Sequence, residues 1–82
     1  MSSDARSEID WLTLRLGEIL RVDLQMVVEL SEHDSDCLSA EGMYIVGDAS
    51  LVRLMRCRGL SKQRAKEIYD AVNLYVERML RT

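Results

Sequence analysis

Leu51-Val52-Arg53-Leu54-Met55-Arg56-Cys57-Arg58-Gly59-Leu60-Ser61-Lys62-Gln63-Arg64-Ala65-Lys66-Glu67-Ile68-Tyr69 is the stretch that decides the fold. Leu51, Leu54 and Met55 recur at helical spacing, and either Asp48 or Ser50 stands where an N-cap would start a short helix reaching Arg58. Gly59 falls where a left-handed C-terminal cap belongs. Ser61 then caps a second helix over 62–81. In that helix Ala65, Ile68, Tyr69, Val72, Tyr75, Val76, Met79 and Leu80 form one apolar stripe, while Lys66, Asp70, Asn73 and Glu77 face outward. The spacing therefore predicts a C-terminal helical hairpin.

Toward the N-terminus, Ile9, Leu12, Leu16, Ile19, Leu20, Leu24, Val27 and Leu30 fall on one side of a helix over 8–30, with Ser7 as its cap. Gly17 costs that helix about 1 kcal/mol, and the Val22-Asp23 step is where it would divide in two. A thinner stripe of Trp11, Leu14, Val22 and Val28 lies opposite. A helix that is apolar on two sides is usually covered on two sides, so these four residues are the candidate protein interface of a homodimer. Residues 31–42 show no period and read as an acidic loop. Met43-Tyr44-Ile45-Val46 is a short apolar run that fits either a helical turn or a brief extended stretch, with no obvious strand partner. The fold class expected is all-α: a compact three- to four-helix unit with a long N-terminal helix, an acidic loop and the hairpin. The chain reads as a single domain over 1–82, with 1–7 a flexible tail.

Eighty-two residues allow one domain with a modest core, and 48% apolar with 30% charged is globular composition rather than disorder. The absence of proline and phenylalanine and the presence of only four glycines leave a helix-forming vocabulary. Two cysteines, Cys37 and Cys57, make no disulfide framework. Without a basic-then-apolar start or an apolar run of about 20 residues, the expectation is a cytoplasmic protein with free thiols and no membrane contact.

Net charge is −3, but it is segregated. Residues 1–50 hold eleven acidic side chains against three basic ones, whereas 51–82 hold eight basic against three acidic. Arg53, Arg56, Arg58, Lys62, Arg64 and Lys66 follow one another with no intervening anion. Cations gathered beside backbone N–H groups at a helix N-terminus suit a phosphate oxygen. These six, with the N–H groups of Gly59 and Ser61, are the candidate nucleic-acid-binding residues.

The pattern Leu54-x-x-Cys57-x-Gly59-Leu60-Ser61-x-x-x-Ala65-x-x-Ile68, within residues 48–72, resembles the helix-hairpin-helix DNA-binding motif. Ser61 stands where that family has its second turn glycine. The same Gly59-Leu60-Ser61-Lys62 with Ala65 is similar to the helix-turn-helix opening of the bacterial histone-like family, without the β-arms of that family. The resemblance implies contact with DNA or RNA backbone, without base-specific readout.

Other constellations carry less chemistry. His33 and Cys37 offer two soft ligands where zinc needs three or four, and as a nucleophile pair they lack an orienting group. Asp34 and Asp36 begin a calcium-loop pattern that Leu38 and Ser39 break. Tyr69 and Tyr75 lie on the core stripe rather than on a stacking surface. No metal, cofactor or catalytic set is expected. Two functions remain open: a regulatory protein gripping nucleic-acid backbone through the basic hairpin, or an adaptor or inhibitor docking on another protein through its apolar N-terminal helix and acidic loop.

Overall fold

Residues 12–81 are described by a computed structural model, with helices over 12–20 (α1), Glu32–Ala40 (α2), Leu51–Arg56 (α3) and Lys62–Arg81 (α4). Single 3-10 turns lie at Leu24–Met26 and Val46–Asp48, and no strand occurs among the described residues. The fold is all-α. Ser7, Trp11 and the tail 1–7 lie outside the described residues.

The hairpin forms as its sequence dictates. Ser50 opens α3 by accepting the Arg53 amide on Oγ at 3.2 Å, and Ser61 opens α4 by accepting the Arg64 amide at 3.1 Å. Helix α3 ends at Arg56, two residues earlier than expected, because Cys57 turns to extended backbone. Cys57–Leu60 then makes a turn closed by Leu60 N–H on the Cys57 carbonyl at 3.4 Å. Gly59 occupies its third position with φ +84°, the left-handed conformation that a type II turn requires there. A Cβ on Gly59 would also sit 2.9 Å from Cys37 Sγ. Gly59→Ala should therefore cost about 1–3 kcal/mol in chemical denaturation. Gly17→Ala should instead stabilise by about 1 kcal/mol, because Gly17 is helical and a Cβ there meets nothing within 4 Å. Equal effects at the two glycines would refute this contrast.

The core sits where α3 and α4 pack on each other and on the chain between α1 and α3. Leu54, Ala65 and Ile68 are fully buried, joined by Leu24, Leu38, Met43, Val46 and Val72. Of the α4 stripe, Tyr69, Tyr75 and Val76 lean on this cluster half-buried, while Leu80 at its end is exposed.

Two expectations need correction, and one open alternative is decided. Helix α1 ends at Leu20, and the chain divides at the Val22-Asp23 step before the 3-10 turn, so the segment is not one long helix among the described residues. The break is held by a short antiparallel pairing of Asp23 with Ile45. Leu24 N–H reaches the Tyr44 carbonyl and Val46 N–H the Val22 carbonyl, both at 2.9 Å. The 43–46 run is thus extended at Ile45 before Val46 opens the second 3-10 turn, and its partner is the break itself. Beyond Leu20 the helical spacing loses its meaning, so Val22 and Val28 pack against the chain's own core while Leu14 stays 70% exposed. The two-sided stripe is not one continuous face.

The acidic loop over 31–42 is instead helix α2. Its start is a reciprocal cap: Asp34 N–H donates to Ser31 Oγ at 3.1 Å, and Ser31 N–H donates to Asp34 Oδ2 at 3.3 Å. Glu32 and Asp34 sit in the first turn, where the helix dipole favours anions. Gly42, with φ +73°, takes the chain out of the helix in the left-handed conformation. Asp48, one of two candidates for capping α3, instead accepts the amides of Tyr44 and Ile45 at 3.1 and 3.3 Å.

Candidate nucleic-acid interface

The six cations of the hairpin divide into two groups, and helix geometry divides them. Residues two apart on a helix point about 200° away from each other, so Lys62 and Lys66 leave α4 on one flank and Arg64 on the other. Arg64 turns toward α2. Its Nε donates to Asp34 Oδ2 at 3.1 Å, its Nη2 to the Glu29 carbonyl at 2.6 Å, and its Nη1 approaches Glu67 Oε1 at 3.5 Å. Arg53 stays exposed but is also engaged with the front half, donating to the carbonyls of Glu41 at 3.0 Å and Asp48 at 3.3 Å. A guanidinium at Glu41 meets the negative end of α2, a favourable placement for a cation. Arg53 and Arg64 therefore clasp the acidic front half, and both leave the candidate set as free phosphate ligands.

Arg56, Arg58, Lys62 and Lys66 do not. All four are exposed, and none forms an ion pair or side-chain hydrogen bond among the described residues. They flank the Cys57–Leu60 turn on α3, on the turn itself and on the first turns of α4. Gly59 and Ser61 are exposed beside them. Glu29, Glu32, Asp36 and Glu41 are also exposed, so the front half keeps a solvated acidic surface.

His33, at the start of α2, reaches the same turn. Its Nε2 lies 2.8 Å from the Gly59 carbonyl and 3.6 Å from Cys37 Sγ. A carbonyl only accepts, so Nε2 carries the proton and is a donor. It is therefore not placed to take a proton from Cys37, and the pair lacks the base that an activated thiol requires. Cys57 Sγ donates to the Cys37 carbonyl at 3.2 Å. Burial first, then the neighbouring Cys37 thiol and Glu41, pushes the Cys57 thiol up from its ordinary value, which keeps it protonated. Among the described residues no three of His, Cys, Asp and Glu come together to hold a metal ion.

Sequence reasoning missed the Arg64–Asp34 pair and the His33–Gly59 contact, because both depend on α2 existing. One signal was present: Ser31 followed three residues later by Asp34, with Gly42 beyond, is the pattern of a capped helix.

Apolar side chains are exposed on α1 (Leu12, Leu14, Leu16), at Met26 and Tyr44, and in two places near the hairpin. Leu51, Val52 and Met55 cover most of the outer face of α3, with Val52 59% exposed. A shallow groove along α4 is lined by Val27, Ala71, Leu74, Tyr75 and Met79, with Arg78 at its edge. Arg15 of α1 donates from Nε and Nη2 to the Met79 carbonyl at 3.0 and 2.8 Å, tying α1 to the last turn of α4. None of the described helices is long and apolar enough to cross a membrane. Compared with protein-family models, curated proteins and solved structures, the chain matches none.

Proposed function

We propose that this chain is a small, non-catalytic helical binding protein that contacts nucleic-acid backbone through Arg56, Arg58, Lys62 and Lys66. The observation that carries the reading is the division of the cations. Two hold the fold together, and four are left around one turn with no anion engaging them among the described residues. A side chain already clasped by a carboxylate offers a phosphate little, whereas a solvated one releases counterions from the polyanion when it binds. The burial of Leu54, Cys57, Ala65 and Ile68 also supports it, since these are the apolar positions of the helix-hairpin-helix pattern. The acidic front half repels a polyanion, which leaves the hairpin end as the face of approach. Contacts limited to phosphate position the protein without reading bases.

The test is a salt titration of duplex DNA binding. Affinity should fall linearly with salt on logarithmic axes, and Lys62→Ala and Lys66→Ala should each flatten the slope by about 1. Both variants should retain parental stability. Undetectable binding at about 50 mM salt, where the electrostatic attraction is strong, overturns the reading.

A second reading, an adaptor that docks on another protein, rests on the apolar outer face of α3 and the groove along α4. Under it Val52→Asp abolishes capture of the partner, and the lysine variants leave capture unchanged.

A further inference from the structure

We propose that Cys37 and Cys57 form a thiol modification site, a dithiol that a small-molecule disulfide of the glutathione class closes into an intramolecular bridge between α2 and the hairpin turn. The two cysteines come from opposite halves of the chain, 20 residues apart, and meet at one point of the fold. Cys57 Sγ is 3.2 Å from the Cys37 carbonyl oxygen. That oxygen lies about 2.4 Å from its own Cα, so the Cys57 sulfur stands within about 6 Å of Cys37 Cα. A bridge needs Cα atoms about 4.4–6.8 Å apart, and the Cys57 sulfur already reaches the main chain of Cys37 itself. The Cys37 sulfur in turn presses on Gly59, two residues beyond Cys57, at 2.9 Å from where a Cβ would be. Only a glycine leaves it that room.

The two thiols differ in access, and the difference orders the steps. Cys37 is half-buried and within reach of solvent, whereas Cys57 is 4% exposed. The Cys37 thiol loses its proton to solvent, and its thiolate attacks one sulfur of the small disulfide. The S–S bond of the reagent breaks, and one thiolate leaves and takes up a proton. Cys37 is then joined to the second half of the reagent as a mixed disulfide. Burial keeps most of Cys57 protonated, so the second step is the slow one: its proton passes to solvent as the buried thiol opens, and the thiolate attacks the Cys37 sulfur. That expels the second half of the reagent as a thiol. The two cysteines lose two hydrogens and two electrons, and the reagent is reduced to two thiols.

The bridge would pin α2 to the turn that His33 already touches. It is independent of what the basic face binds. The full-length native protein is incubated with oxidised glutathione, then treated with an alkylating agent and weighed intact. The expected product is lighter than the reduced chain by two hydrogen atoms, takes no alkyl group, carries no glutathione and remains a single chain. Reduced dithiol should restore both alkylation sites. Closing a loop of this length should also raise Tm by about 10 °C or more. Cys57→Ser should stop the reaction at one stable glutathione adduct on Cys37, and Cys37→Ser should leave Cys57 unmodified while folded. A parent protein whose thiols both stay alkylatable, that holds a stable glutathione adduct, or that forms only disulfide-linked dimers overturns the proposal.

Discussion

Arg64→Ala is expected to lower the free energy of unfolding by about 3 kcal/mol, the low end for breaking a buried ion pair, because Arg64 is itself 30% exposed. The loss comes from what is left behind. Asp34 is 7% exposed, and without Arg64 its carboxylate is left with Ser31, whose N–H it accepts. The Glu29 carbonyl loses its donor as well. Urea unfolding with an unchanged m-value would measure the effect, and a change under about 0.5 kcal/mol would show that the pair is ornamental.

The same pair sets a pH dependence. Burial pushes the Asp34 carboxyl up, but the Ser31 amide and the Arg64 guanidinium outweigh it and hold the group below the ordinary carboxylate range. In the unfolded chain the group titrates near about 3.9. A folded value below the unfolded one means that its stabilisation is complete above that pH. It is then lost as the pH falls through the depressed value. The parent should therefore lose stability on acidification more steeply than Arg64→Ala or Asp34→Asn. Parallel acid profiles for the three proteins would remove this assignment.

Leu54→Ala is expected to cost about 3–4 kcal/mol, within the range for emptying a fully buried leucine site. Helix α3 has six residues, too few to persist on its own propensity, so it exists because Leu54 is buried against α4 with Ala65 and Ile68. For a domain of this size that cost is a large share of the total stability, and Tm should fall by well over 10 °C. Leu51→Ala, three residues earlier on the same helix and 37% exposed, should cost about 1 kcal/mol or less. Thermal unfolding of the two variants side by side decides the matter, and similar losses would mean that α3 is held by something other than its buried leucine.

Local patterns were legible wherever neighbours in sequence are neighbours in space. The Ser50 and Ser61 caps, the left-handed Gly59 and the run Lys62–Arg81 each depend on residues within one or two helical turns, and the structure has all of them. Helix α2 was hidden because its inward positions are Asp34 and Leu38, one charged and one apolar. A helix that buries a carboxylate under an arginine from elsewhere leaves no apolar stripe to read. The break after Leu20 was hidden for a related reason. Ile19, Leu24 and Val27 keep helical spacing across it, yet Leu24 opens a 3-10 turn that Val27 caps, and backbone pairing of Val22 with Val46 and Leu24 with Tyr44 holds the break.

Composition and periodicity alone determined an all-helical chain, a hairpin near its C-terminus and a charge map with acid in front and base behind. Which cations are spent on the fold and which stay open to solvent was a tertiary decision. Charge is carried by the residue, but its availability is set by what lies opposite in space, and Asp34, 30 positions away from Arg64, became its partner only once α2 docked.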